Sequence, residues 1–148
     1  MKVLGVIPAR GGSKGIPRKN IVSLLGKPLL AYTSDSARAS RLDRVVLSTE
    51  DEEIARIGRE IGIEVPFMRP AALALDTTPT LPVVQDVVRR LVGVGEAYDA
   101  VMILQPTNPL RTHSDIDGAI ELLENTGADS VISFVEVGEK HPARMKYI

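Results

Sequence analysis

Three glycines and four cations crowd into one stretch, Ala9-Arg10-Gly11-Gly12-Ser13-Lys14-Gly15-Ile16-Pro17-Arg18-Lys19-Asn20. Glycine lets a backbone approach a ligand closely and adopt positive φ. Successive N–H groups in such a turn form an anion-binding concavity. Arg10, Lys14, Arg18 and Lys19 supply charge. Residues 1–34 hold six basic and no acidic residues, a net of +6 against −7 for the remainder. A basic loop on a mildly acidic body suits a small polyanion such as a nucleoside triphosphate. Neither G-x-x-x-x-G-K-[ST] nor G-x-G-x-x-G is present, so P-loop and dinucleotide readings lose support.

Other chemistry-bearing types are sparse. Asp51-Glu52-Glu53 is an acidic run, but a helix N-terminus favours acids, so it reads as a solvated helix start. Asp115 and Asp117 have D-x-D spacing yet fall in the first turn of an expected helix. Two histidines, His113 and His141, cannot make a histidine-rich metal site, and zero cysteine excludes disulfides and thiolate chemistry. No metal ligands are assigned. Asp76 reads as structural, accepting loop hydrogen bonds.

The elements that must position this loop follow from periodicity. Val3-Leu4-Gly5-Val6-Ile7, closed by Pro8, reads as a buried strand of a parallel sheet. No helix is expected before Leu29, so the connection is about 20 residues long, where about 2–6 is usual. Helix 29–39 follows, with Leu30, Ser34 and Ala37 on one face. Strand 44–48 comes next, then helix 51–61 with Thr49 and Glu52 as a capping box and Gly62 as its stop. Residues 64–68 form an extended piece at a sheet margin, and 69–80 a second long connection. Thr80 is expected to cap a helix carrying Leu81, Val84, Val88 and Leu91 on one face. Strand 100–104, loop 105–111, a helix capped by Ser114 and Asp117, and strand 130–135 complete the series. Alternating strands and helices predict a mostly parallel sheet covered on both faces, with right-handed crossovers. Loops 9–28, 69–80 and 105–112 all leave carboxyl ends, where ligands bind in such sheets.

Composition narrows the classes. At 148 residues one domain with a proper core is expected. A net charge of −1 and five scattered aromatics argue against a nucleic-acid binder. No apolar run approaches the ~20 residues of a membrane helix, and the N-terminus enters a strand at once without a signal peptide's h-region. A cytoplasmic protein is the expectation.

Four stretches also carry a resemblance. IPARGGSKGIPRKNI, VVLSTEDEEIA, RPAALALDTTPT and QPTNPLR resemble the segments of the acylneuraminate cytidylyltransferase (CMP-N-acetylneuraminic acid synthetase) family, in its order and over essentially the whole chain. The resemblance implies a three-layer α/β/α fold of nucleotide-diphospho-sugar transferase (Rossmann-like) type. It implies transfer of CMP from CTP to the anomeric hydroxyl of a nine-carbon 2-keto sugar acid, releasing pyrophosphate. Arg10, Ser13, Lys14 and Lys19 then surround the triphosphate, and Arg10 and Lys19 are the catalytic pair that neutralises the transferred and leaving phosphates. Asn20, Arg69 and Thr80 face the nucleotide, with backbone groups of Ala9, Gly11 and Thr78 near the base. Gln105, Thr107 and Arg144 contact the sugar acid; Asn108 stands where the family more usually has serine.

The family's reaction implies Mg²⁺, whose aspartate ligands in the family come downstream of residue 148. It also implies a homodimer, with residues 138–148 starting its extension segment. The expectation is therefore the nucleotide-binding part of a longer enzyme. Two alternatives stay open: a CTP-binding domain without complete catalytic machinery, and a nucleotidyltransferase for another sugar acid such as 3-deoxy-manno-octulosonate. A phospho-receiver domain would need an acidic cluster after the first strand, which is absent.

Overall fold

Val3 to Ile7 are all buried, and their side chains divide between two cores. This strand, β1 (Val3–Pro8), is the middle of a three-stranded parallel sheet in a computed structural model that describes residues 1–134. β4 (Arg44–Ser48) and β5 (Ala100–Ile103) flank it, with Val6 opposite Val46 on one side and Ile103 on the other. A strand covered on both faces needs an apolar or small residue at every position. Gly5 answers a tight spot: a Cβ there would lie 2.9 Å from Leu42 Cδ1. Glu64 adds a parallel bridge beside Val46, the expected margin piece.

Val3 and Ile7 pack with Leu30 and Ala37 of α1 (Leu29–Arg38), Ile54 of α2 (Glu52–Glu60), and Ile116 and Ile120 of α4 (His113–Thr126). Leu4 and Val6 pack with Val84, Val87 and Leu91 of α3 (Thr80–Gly93) on the opposite face. The expected three-layer α/β/α arrangement is therefore built. Its two cores come from the period-2 alternation of one five-residue run.

Several local expectations are corrected. The long first connection is not featureless. It holds a 3-10 turn (Lys19–Ile21) and a hairpin of β2 (Ser23–Leu24) and β3 (Lys27–Pro28). Leu25 and Gly26 between them have φ of 49° and 87°, the two positive values of a type I′ turn. Gly11, Gly12 and Gly15 do not take positive φ; Arg18 does, at 54°. α2 is capped by Asp51, not by Thr49, because Thr49 is fully buried and its hydroxyl accepts the Asp51 N–H. The Asp51 carboxylate then accepts from Glu53 N and Ile54 N. The box before α4 is Thr112 with Asp115, not Ser114 with Asp117. Thr80 is the first residue of α3 rather than its cap, and makes no capping hydrogen bond. The buried stripe of α3 runs through Val83, Val84, Val87 and Leu91, leaving Leu81 60% exposed. Residues 130–134 form no strand, with Phe134 90% exposed. β5 is the last described strand on its side of the sheet, yet residues 130–134 do not pair with it. Val135, the 138–148 extension and Arg144 lie outside the described residues.

Candidate functional site

The chain leaves β1, visits β4 on one side, and later returns as β5 on the other. Such a reversal opens a crevice at the carboxyl ends of the strands. Pro8, Ser48 and Ile103 mark those ends. A cavity of about 220 Å³ lies there, and three loops line it. The first gives Arg10, Ser13, Lys19 and Asn20; the second Arg69, Leu73, Leu75 and Thr78, continuing into Thr80 and Val83 of α3; the third Gln105, Pro106 and Thr107. Nine of the expected site residues therefore share one cavity although they span about a hundred positions. Ala9, Gly11 and Lys14 do not line it. Ala9 is fully buried and its N–H donates to Ser48 O, sewing the loop to the end of β4.

The first loop's cations divide by partner. Arg18 pairs with Asp51 and Glu53 at the start of α2, away from the cavity. That bond holds the Asp51 carboxyl below its usual range. Arg10 and Lys14 both meet Asp76 of the second loop, Lys14 Nζ at 2.6 Å from Oδ2. These hydrogen bonds, Lys14's first and Arg10's second, hold the Asp76 carboxyl below its usual range. Lys19 lines the cavity with no carboxylate in ion-pair range among the described residues. The N–H groups of Gly12, Lys14 and Gly15 also find no acceptor among the described residues. Asn20, 5% exposed, donates through Nδ2 to Arg10 O at 2.9 Å and straps the loop into a closed turn.

Arg69 is built into the wall. It is 6% exposed, and its guanidinium donates to Ser48 O at 2.6 Å and Ser48 Oγ at 3.1 Å. Burial pulls its pKa below arginine's usual value, with Glu50 opposing that shift. Glu50, which the sequence reading left unassigned, joins two loops. Its Oε1 accepts the Gly11 N–H at 2.8 Å, and its buried Oε2 lies 3.9 Å from Arg69 Nη1 without a hydrogen-bond partner. The one sequence signal for it is an acid directly after a buried strand. The apolar lining of Leu73, Leu75 and Val83 was also unassigned, since loop leucines carry no period.

Gln105 and Thr107 stand on a loop that Arg111 braces, its Nη2 donating to Gln105 O at 3.2 Å. Among the described residues no three His, Cys, Asp or Glu side chains gather into a metal-binding group. Near the cavity Asp51 is taken up by Arg18 and the α2 N–H groups, and Asp76 by two cations. Neither leaves free the carboxylate oxygen that a magnesium ion shared with substrate phosphates takes from a protein, so these residues do not fit that ion.

Comparison with known proteins agrees with this geometry. A sequence model of the family described as Cytidylyltransferase matches residues 4–145. The CMP-N,N'-diacetyllegionaminic acid synthase of Legionella pneumophila is 38% identical over 95% of this chain and 60% of that protein. The pseudaminic acid cytidylyltransferase of Campylobacter jejuni is 43% identical over 82% of this chain and 53% of that protein. The chain thus spans little more than half the length of these curated relatives. Among solved structures, a CMP:2-keto-3-deoxy-manno-octonic acid synthetase complexed with CTP superposes with a TM-score of 0.74. It is 21% identical, covering 86% of this chain and 49% of that one. A cytidylyltransferase from Leptospira borgpetersenii gives 0.67 at 24% identity, covering 86% and 51%. At these identities the structures establish the fold. Among the described residues no helix is long and apolar enough to cross a membrane.

Proposed function

Because this chain belongs to the cytidylyltransferase family, we propose that its cavity binds CTP and that the whole protein transfers CMP to a nonulosonic acid. The observation that carries this reading is the convergence of Arg10, Lys19 and Arg69 with Asn20, Thr80 and Gln105 on one crevice at the strands' carboxyl ends. Nucleotidyl transfer needs cations at the phosphates, and Arg10 and Lys19 in the lining can supply them. The sugar acids in the relatives' names, N,N'-diacetyllegionaminic acid, pseudaminic acid and N-acylneuraminate, support the acceptor class.

In this reading Ser13, Lys14 and Lys19 surround the triphosphate with Arg10. Lys19 and Arg10 neutralise the charge that builds on the transferred phosphorus and the leaving pyrophosphate. Asn20, Arg69, Thr78 and Thr80, with the backbone at Ala9 and Gly11, hold base and ribose. Gln105 and Thr107 reach the sugar acid. The anomeric oxygen forms a bond to the α-phosphorus as the bond to the β-phosphate oxygen breaks. The hydroxyl proton must pass to a base, and the described lining offers neither carboxylate nor imidazole for that role. Magnesium, when bound, would screen the phosphates. The reading includes a cytoplasmic homodimer, where CTP is made and used.

A second reading has an observation in its favour. The cavity is smaller than the roughly 300–1,000 Å³ usual for ligand sites, and no acid lines it. Residues 1–148 alone would then bind CTP without turning it over. The test is pyrophosphate release from Mg·CTP against a panel of eight- and nine-carbon 2-keto acids, on residues 1–148 and on the full gene product. Release with one nine-carbon acid supports transfer and names the acceptor. CTP binding without release from either protein selects the binding module, and no CTP binding overturns both.

A further inference from the structure

The tie between the first and second loops is ionic. Arg10 and Lys14 of one meet Asp76 of the other, and among the described residues no hydrogen bond links the two backbones. The contact is not buried structure: the Asp76 side chain is 33% exposed and that of Lys14 81%. Asp76 does not line the cavity, whereas Arg10 does. One carboxylate beside the cavity therefore takes up Arg10, which lines it, and Lys14 of the same loop, which does not. Lys19, also in the lining, is left without such a partner among the described residues.

A carboxylate and a phosphate oxygen compete for the same donors. Both accept charge-assisted hydrogen bonds from guanidinium and ammonium groups. The carboxylate brings one negative charge and a triphosphate about four. Exposed ion pairs are individually weak, so a tie made only of them gives way to a more highly charged anion.

Resting on the reading of this cavity as a CTP site, we propose that Asp76 is a displaceable internal counterion. It holds Arg10 and Lys14 in the free protein, yields them to the distal phosphates of a triphosphate, and takes them back as pyrophosphate leaves. Asp76 thereby weakens triphosphate and pyrophosphate binding selectively. A monophosphate that reaches only Lys19 leaves the tie closed. The distinction between tri- and monophosphate ligands at this site is set in part by an acid, and release of the leaving group is eased by it. If Asp76 instead served to aim the two cations into the cavity, removing its charge would weaken polyphosphate binding.

The experiment is titration calorimetry of the 148-residue chain and of Asp76→Asn with inorganic tripolyphosphate, pyrophosphate, CTP and CMP at low salt. Asparagine keeps the size of the side chain and removes its charge. The expected result is about three- to tenfold tighter tripolyphosphate, pyrophosphate and CTP binding by the variant, with CMP within about twofold. Unchanged or weaker tripolyphosphate binding by a folded variant overturns the proposal. If Asp76→Asn does not fold, Asp76→Ser is read by the same criteria. Tripolyphosphate separates the two levels of inference. Wild-type protein that binds it but not CTP removes the CTP reading and leaves Asp76's role standing. CTP bound no more tightly by the variant removes Asp76's role and leaves the reading. Wild-type protein that binds neither anion removes both.

Discussion

Lys19 lines the cavity and Glu50 lies behind it in the first loop's support, and they differ in what they hold. Lys19 has no described acid partner, so its replacement costs the fold little. Removing one charge that acts on a developing oxyanion typically costs about 10²–10³ in rate. Lys19→Ala should therefore lower pyrophosphate release from CTP by about a hundredfold or more, with an unchanged melting temperature. Unaltered turnover would remove Lys19 from the phosphate site. Glu50 joins the Gly11 N–H to the buried Arg69 guanidinium. Glu50→Ala leaves the Gly11 N–H without its acceptor and the buried Arg69 guanidinium without its neighbouring carboxylate, a loss of about 1–3 kcal/mol. Denaturant unfolding should show that loss, and a variant as stable as wild type would mean that water serves both groups equally well.

At the scale of elements, α2 fixes the first loop to the sheet through its N-terminus and one glycine. Asp51 both caps the helix and pairs with Arg18. Replacing a capping carboxylate by alanine costs about 0.5–2 kcal/mol, and here the loop also loses its anchor. Asp51→Ala should thus lower stability and raise the Kd for CTP together, read by denaturation and calorimetry on one preparation. Stability lost with CTP affinity kept would show that Arg18 does not position the loop. Gly58 faces β4 so closely that a Cβ would overlap Leu47 Cδ2. Overpacking of this kind costs about 1–3 kcal/mol. Gly58→Ala should destabilise the fold by that amount, and a neutral result would mean that α2 can slide outward freely.

Acid stability belongs to the whole molecule, because its carboxylates act together. Asp51, Glu64, Asp76 and Asp115 all have pKa values lowered in the folded chain: Asp51 first by its bond to Arg18, Glu64 by Arg44, Asp76 by Lys14, and Asp115 by the Thr112 N–H. A carboxylate with a lowered folded pKa contributes stability above its ordinary value of 3.8 or 4.5. That contribution is lost as pH falls through the lower folded value. Denaturant midpoints should hold steady from pH 7 to about 5 and then fall steeply below about 4. A midpoint that rose on acidification would contradict the ion pairs described at Arg18, Arg44 and Lys14.

The sequence alone determined the layers and most of the site. Val3 to Ile7 read as a strand buried on both faces, and the length and charge of the loop after it marked a candidate polyanion site. Arg10, Lys19, Asn20, Arg69, Thr80 and Gln105 were legible because unusual composition, and the resemblance of whole segments, survive without coordinates. Tertiary structure decided how charges pair across loops. That Asp76 meets Arg10 and Lys14, that Arg18 turns to Asp51, and that Glu50 lies between Gly11 and Arg69 depend on approaches between residues up to 66 positions apart. Caps and strand edges were decided the same way. Asp51 outranks Thr49 because Thr49 is buried, and residues 130–134 pair with no described strand although the edge of β5 is open to them. Local sequence specifies a backbone's preferences, but a hydrogen bond or ion pair needs two partners, and folding alone brings the second one within reach.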